Sequence, residues 1–144
     1  MLVQSILKSK GSNGVVTVSA ATTISDAAKI LAEKRIGTVV VSDDGETPLG
    51  ILSERDIVRE LAAEGGGCLT KAVSEYMTKD LVTCTREATS EQILGQMTER
   101  RFRHMPVVED GKLIGLVTLG DVVKAQLSTL AMEKDALQGM IMGH

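Results

Sequence analysis

The chain carries the same unit twice, and this internal repeat constrains its fold more than any other feature. Residues 16–45 align without a gap on residues 82–111, at a constant offset of 66 (82 − 16 and 111 − 45). One residue is then lost in the next turn, so that "GILSERD" (50–56) matches "GLVTLGD" (115–121). Self-similarity of this kind indicates two copies of one supersecondary unit.

Each copy is predicted to have the order β-α-β-β-α. A short β-rich run, 15–18 or 81–83, precedes Thr-x-x-Asp or Thr-x-x-Gln, which predicts a helix N-cap at Thr23 and at Thr89. An apolar stripe at helical spacing follows, then two strands joined by a tight turn, then a second helical period. A short lead-in helix is expected before each copy, from "VQSILKSK" and "VSEYMTKD".

The repeat also sets the predicted boundaries. Residues 1–64 form the first repeat with its lead-in, 65–72 a glycine-rich flexible linker, 73–127 the second repeat, and 128–144 a C-terminal helical extension. Cys68 follows the glycine run, and an exposed position is expected for it. One unit alone leaves a sheet face and two helix stripes partly uncovered, so the two copies should pack into one module.

The C-terminal helix carries more apolar surface than the module needs. It could pair with a second copy of the chain, and the alternatives are that it frays or packs back on its own chain. The residues concerned are Leu127, Leu130, Ala131, Leu137, Met140 and Ile141.

Composition narrows the class of protein. The 144 residues are 43% hydrophobic but only 1% aromatic, and the net charge is −3. Few aromatic rings and an acidic balance disfavour nucleic acid and anionic membranes as main partners. No apolar stretch approaches the roughly 18 residues of a membrane span, so a cytoplasmic protein is expected. The two cysteines form no metal-ligand pattern.

The junction that ends each copy places a hydroxyl and a carboxylate at a predicted helix start. Ser53 and Asp56 take these positions in the first copy, and Thr118 and Asp121 in the second. These side chains could serve only as helix caps. Alternatively, the carboxylate could also accept hydrogen bonds from the vicinal hydroxyls of a ribose. Spacing alone leaves both readings open.

The repeated unit, with Gly-h-h-[Ser/Thr]-x-x-Asp closing each copy and "RFRHMPVVEDGKLIGLVTLGD" in the second, resembles the CBS domain pair. This pair is also called the Bateman module and is named after cystathionine β-synthase. The resemblance covers about residues 2–127 and suggests a stand-alone CBS-domain protein of the bacterial type. It implies an α/β (α+β) fold of two βαββα repeats packed as one pseudo-two-fold module. Two clefts would bind adenosine-containing ligands and regulate a partner protein.

The resemblance implies AMP, ADP, ATP, NAD(H) or S-adenosylmethionine as the ligand class, with no metal required. Asp121 and Asp56 would bind the ribose hydroxyls of the two clefts, and Thr118 and Ser53 would bind ribose or phosphate. Adenine would lie against Val16, Ile36 and Leu116 in the Asp121 cleft, and against Val82, Phe102 and Ile51 in the Asp56 cleft. Thr78 is also expected among the ligand contacts.

Phosphate would be bound by Arg103 and His104, with Arg55 serving the other cleft. Without the resemblance, "ERRFRH" (99–104) equally fits a solvated basic end of a helix. In the first copy Gly37 and Thr38 stand where the second has arginine and histidine, which predicts unequal clefts with the Asp121 cleft the better one. Gly120 stands where many relatives carry Ser or Thr, which leaves the phosphate contacts open at that position.

Three functions follow, in order of preference. The first is a regulatory adenosine-ligand sensor that forms a homodimer and signals to an unidentified partner protein. The second is a dimer with a purely structural or interaction role and no ligand. The third is a nucleotide-processing or NAD(H)-dependent enzyme, which is disfavoured because the sequence has no Walker loop, no Gly-x-Gly-x-x-Gly turn after a strand and no nucleophile–base set.

Overall fold

The computed structural model describes residues 1–11 and 15–141, and of Ile141 the backbone alone. Its helices and strands follow the predicted order in both copies. They are α1 (Val3–Ser9), β1 (Thr17–Val18), α2 (Ile24–Lys34), β2 (Thr38–Val41), β3 (Gly50–Ser53), α3 (Glu54–Glu64), α4 (Ser90–Arg100), β4 (His104–Glu109), β5 (Lys112–Thr118) and α5 (Leu119–Ile141). Two short 3₁₀ helices, Gly65–Thr70 and Val73–Glu75, lie between α3 and α4.

The predicted N-caps of the two equivalent helices are confirmed. The Thr23 hydroxyl accepts a hydrogen bond from the Asp26 amide at 3.1 Å, and the Thr89 hydroxyl accepts one from the Gln92 amide at the same distance. The Gln92 side chain returns a bond to the Thr89 amide, which completes a capping box. These caps satisfy helix N–H groups that have no partner within the helix, so α2 and α4 begin where the sequence predicts.

The strands form two small sheets, one for each repeat. In the first, β2 lies between β1, which runs parallel to it, and β3, which runs antiparallel with Ile51 opposite Val40. In the second, β4 and β5 form an antiparallel hairpin. The strand predicted over 81–83 is reduced to a single parallel bridge between Cys84 and Val107, so the first strand of this repeat is one residue long and shifted.

The lead-in of each repeat packs on the other repeat. The Val3 amide donates to the Ala88 carbonyl at 2.9 Å, and the Val73 amide donates to the Thr22 carbonyl at 2.8 Å. Val3 accordingly lies in the hydrophobic core of the second repeat, and Val73 in the core of the first. Neither core is complete without a segment from the other copy, so the two repeats form one module.

Two glycines at equivalent positions allow these exchanged lead-ins to approach the sheets. A Cβ atom added at Gly50 would lie 2.6 Å from the Met77 sulfur and 2.9 Å from the Thr78 carbonyl oxygen. One added at Gly115 would lie 2.6 Å from a terminal methyl group of Leu7. The repeated glycine of the "GILSERD" and "GLVTLGD" segments is therefore a steric requirement of the exchange.

The glycine-rich connection differs from the flexible linker predicted for residues 65–72. Residues Gly65–Thr70 form a 3₁₀ helix that packs against α3 and α2. Cys68, expected to be exposed, is fully buried within it. Burial of this small thiol, together with the Leu69 side chain against the core of the first repeat, anchors the segment.

The C-terminal helix α5 extends beyond the second repeat with a row of exposed apolar side chains. They are Val123, Leu127, Leu130, Met132, Leu137 and Met140. The Ile141 side chain, which was predicted to belong to this surface, lies outside the described part. Among residues 1–11 and 15–141, no helix combines the length and the apolar character needed to cross a membrane.

The two glycines should respond differently to substitution. Gly115→Ala meets only the flexible end of Leu7, whereas Gly50→Ala also meets the backbone of Thr78, and each should cost about 1–3 kcal/mol of unfolding free energy through overpacking. The Gly115→Ala/Leu7→Ala double variant should be as stable as Leu7→Ala alone in urea denaturation. The Gly50→Ala/Met77→Ala double variant should stay less stable than Met77→Ala. Equal rescue in both pairs would contradict this account of the Thr78 carbonyl.

Candidate functional site

A cavity of about 730 Å³ opens between the two repeats. Its walls come from β3 and the start of α3, from the segment that follows the second lead-in, and from the ends of α4 and β5 with the start of α5. Twelve of the seventeen predicted site residues line it. They are Gly37, Ile51, Ser53, Arg55, Asp56, Thr78, Val82, Phe102, Arg103, His104, Thr118 and Gly120.

The junction in this cavity is a complete capping box at the start of α3. The Asp56 amide donates to the Ser53 hydroxyl at 3.2 Å, and the Asp56 carboxylate accepts from the Ser53 amide at 2.9 Å and from its hydroxyl at 3.0 Å. The second carboxylate oxygen accepts from Arg59 at 2.8 Å. Ser53 and Asp56 therefore cap α3, and the Asp56 side chain is only 12% exposed.

The equivalent junction in the second repeat is capped in the same way but has a different cation. The Asp121 amide donates to the Thr118 hydroxyl at 3.1 Å, and the Thr118 amide donates to the Asp121 carboxylate at 2.9 Å. The ammonium group of Lys10, from the exchanged lead-in, binds the same carboxylate oxygen at 2.7 Å and the Leu116 carbonyl at 2.8 Å. Burial raises the pKa of Asp121, but the hydrogen bonds from Lys10 and Thr118 together lower it by more. The net pKa lies below the ordinary value, so the carboxylate is ionised at neutral pH.

Asp121 does not line the 730 Å³ cavity, and neither do Val16, Ile36 and Leu116, the apolar residues predicted for its cleft. Val16 and Ile36 are half-buried against the core of the first repeat, and the Leu116 carbonyl accepts from Lys10. Thr38 is buried. The five predicted residues that the structure leaves out of the cavity are Asp121, Val16, Ile36, Thr38 and Leu116.

The structure brings the predicted cationic pair to the cavity that contains Asp56. Arg103 and His104 line this cavity together with Thr118 and Gly120 of the Asp121 junction, whereas the sequence predicted both for the Asp121 cleft. His104 is moreover no cation at neutral pH, because burial first, and then the positive charges of Arg103 and Lys10, lower its pKa. Asp121 and Asp56 oppose this lowering without reversing it.

His104 instead joins the two repeats. Its Nε2 atom lies 2.9 Å from the Thr38 hydroxyl, and the two residues occupy equivalent positions at the offset of 66. The contact lies at the start of β2 and β4, where the pseudo-two-fold axis relates the copies. A neutral imidazole suits this role, because one ring nitrogen can pair with the hydroxyl without a charge being buried.

Several residues of the cavity were not predicted. They are Glu54, Arg59, Asp80, Leu81, Arg100, Arg101 and Leu119. For Arg100 and Arg101 the signal was present in the basic run at 99–104, which a solvated helix end explained equally well. For Arg59 and Asp80 the sequence gives no signal, because only the packing of α3 and of the second lead-in brings them to the cavity. In the described part of the chain no three His, Cys, Asp or Glu side chains form a metal-binding group.

Comparison with known proteins identifies the fold. The family model described as "CBS domain" matches residues 10–63 and 73–128. A CBS-domain-containing protein of Agrobacterium tumefaciens, ATU1752, has a crystal structure that superposes with a TM-score of 0.82 at 45% identity, over 88% of this chain and 99% of that one.

Two other solved structures carry adenosine compounds. CBSX2 in complex with AMP superposes with a TM-score of 0.71 at 29% identity, over 89% of this chain and 97% of that one. The CBS domain pair of MJ0100, in complex with 5′-methylthioadenosine and S-adenosyl-L-methionine, superposes with a TM-score of 0.77 at 26% identity, over 90% and 98%.

The curated relatives are longer proteins. The mitochondrial CBS domain-containing protein CBSX3 of Arabidopsis thaliana is 34% identical over 125 residues, which are 84% of this chain and 61% of the relative. The CBSCBSPB2 protein of the same plant is 33% identical, and the chain spans only 23% of its length. With two matched repeats in one α+β module and relatives of the same architecture, this chain belongs to the CBS domain family as a tandem CBS pair.

Proposed function

We propose that this module is a regulatory sensor that binds an adenine nucleotide in the cavity beside Asp56 and signals to a partner protein. The observation that carries the proposal is the cavity itself. Residues of both repeats line it, and they include the Asp56 carboxylate at the start of α3, several apolar side chains and several arginines. The AMP and S-adenosylmethionine complexes of related CBS pairs support it.

The cavity offers suitable side chains for the adenine, the ribose and the phosphate of a nucleotide. Ile51, Val82 and Phe102 offer an apolar surface for adenine. The Asp56 carboxylate can accept hydrogen bonds from the vicinal hydroxyls of ribose if Arg59 turns toward the ligand, and Arg59 is free to do so because its side chain is 65% exposed. Arg103 and Arg55 supply guanidinium donors for phosphate.

The cleft of Asp121 is the weaker of the two in this proposal, which reverses the order expected from the sequence. The Lys10 ammonium group donates hydrogen bonds to the Asp121 carboxylate and to the Leu116 carbonyl. A ribose would have to displace this group and break both bonds. Arg103, the expected phosphate donor of that cleft, lines the other cavity.

We expect Asp56→Asn to weaken AMP binding about 10- to 100-fold, because hydrogen bonds to a charged group contribute about 1.5–3 kcal/mol. Asparagine keeps a side-chain oxygen that can accept from the Ser53 amide in the capping box, so the fold should be retained. Isothermal titration calorimetry with AMP, ADP, ATP, NAD, NADH and S-adenosylmethionine provides the measurement. Asp121→Asn is the matched control at the equivalent junction and should leave the strongest site unchanged.

Other results of this titration would favour the competing functions. Heat from none of the six ligands would leave the module as a structural or interaction dimer. Conversion of a bound nucleotide during the titration, detected by chromatography of the recovered ligand, would indicate an enzyme. A loss of binding in Asp121→Asn instead of Asp56→Asn would restore the order of clefts expected from the sequence.

Lys10→Met should open the second cleft. Methionine keeps the length and apolar stem of the side chain but removes the ammonium group that binds Asp121, so stoichiometry should rise from one nucleotide per chain toward two. Lys8→Met, at the exposed end of the same helix α1, is the control and should bind one nucleotide like the wild type. Two sites in the wild type, or one site in Lys10→Met, would show that Lys10 does not limit access.

We further propose that α5 pairs the module with a second copy. Val123, Leu127, Leu130 and Leu137 follow the alternating spacing of four and three residues that forms a coiled-coil seam, with Lys134 at the one polar seam position between them. All four apolar side chains are exposed in the single chain, so association would remove them from water.

Leu127→Glu combined with Leu130→Glu should convert the proposed dimer to a monomer, because two charges at the seam of each helix would have to be buried. Sedimentation velocity at several concentrations measures the change. Val58→Glu, at an exposed apolar position on α3 away from the α5 seam, is the control. A wild-type chain that sediments as a monomer would contradict this assembly.

A further inference from the structure

The cavity beside Asp56 concentrates positive charge in an acidic protein. Five arginines line it against three carboxylates, whereas the whole chain has a net charge of −3. The arginines come from α3 and from the end of α4 with the residues that follow it. They are Arg55, Arg59, Arg100, Arg101 and Arg103.

Most of this charge has no partner within the chain. Arg59 pairs with Asp56 at 2.8 Å. The other four arginines form no ion pair in residues 1–11 and 15–141. Like charges gathered around one cavity repel each other, and an anion bound between them relieves that repulsion. These four unpaired guanidinium groups are more than one phosphate can bind as bidentate partners.

We infer that the cavity takes a nucleoside polyphosphate in preference to a monophosphate, with Arg100 and Arg101 on the outer phosphates. This inference rests on the proposed function and names the ligand class of the same site. Arg103 and Arg55 serve the phosphate next to the ribose, and the outer pair adds donors that a monophosphate does not reach. A nucleoside triphosphate brings the most negative charge and gains the most from all four groups.

The backbone of Arg101 provides a matched pair of variants. Arg101 ends α4 in the left-handed region at φ 58°, and Arg35 ends the equivalent helix α2 at φ 54°. Glycine takes this conformation without the steric cost that a side chain incurs. Arg35 does not line the cavity beside Asp56. Arg101→Gly and Arg35→Gly therefore relieve the same backbone strain, and only the first removes a cation from the cavity.

The test compares ATP, ADP, AMP and inorganic tripolyphosphate by calorimetry, in EDTA and at fixed salt. The wild type should bind ATP at least tenfold more tightly than AMP. Arg101→Gly and, separately, Arg100→Gln should reduce this ratio severalfold, because each should weaken ATP binding more than AMP binding. Arg35→Gly should keep the wild-type ratio, and both glycine variants should melt at or above the wild-type temperature.

The outcomes separate this inference from the function on which it rests. AMP binding as tight as ATP binding would overturn the polyphosphate preference and leave the adenine-nucleotide sensor intact. No binding of any nucleotide would overturn both. Tripolyphosphate binding as tight as ATP would show a general polyanion site, and an equal change of ratio in Arg35→Gly would show that the effect does not come from the cavity.

Discussion

The structure depends on the exchange of the two lead-in segments between repeats. Val3 and Val73 each complete the hydrophobic core of the copy to which they do not belong. This exchange requires the lead-in backbone and side chains to lie directly on the sheets, which Gly50 and Gly115 permit because they have no Cβ. A single repeat would expose its unfinished core to water, and the cavity between the repeats would not exist.

The exchange also gives the two hydroxyl–carboxylate junctions of the chain different cations. Both aspartates cap a helix and both are paired with a cation, but the cations come from different places. Asp56 is paired by Arg59 from its own helix, whose side chain is 65% exposed. Asp121 is paired by Lys10 from the exchanged lead-in, where two hydrogen bonds fix the ammonium group. Two junctions with the same sequence pattern therefore differ in access.

Under the proposed function, a ligand bound between the repeats would contact both copies. The cavity draws on both copies, and Thr38 and His104 link the copies near it through a hydrogen bond between equivalent positions. A nucleotide whose charge neutralises the arginines would change the balance of forces between the repeats, because those arginines lie on both. Such a ligand shifts a conformational equilibrium only as far as its affinities for the two states differ.

Elements that depend on local chemistry could be predicted from the sequence. The repeat predicted the order β-α-β-β-α, Thr23 and Thr89 predicted the starts of α2 and α4, and helix capping was one of the two roles left open for the hydroxyl–carboxylate junctions. These features depend on residues a few positions apart, so they can be predicted from a single sequence. Twelve of the seventeen candidate site residues line one cavity in the structure, although the sequence and the family resemblance had divided them between two clefts.

Which cation pairs with which junction depends on contacts between segments that are far apart in the sequence. Lys10 reaches Asp121 across 111 positions, and the basic end of α4 lies at the Asp56 cavity because of how α3, α4 and the second lead-in pack. Burial of Cys68 and the 3₁₀ helix of the glycine-rich connection arose in the same way. Each of these depends on contacts between distant segments, which leave no periodic pattern in the sequence and are fixed only when the cores close around the exchanged lead-ins.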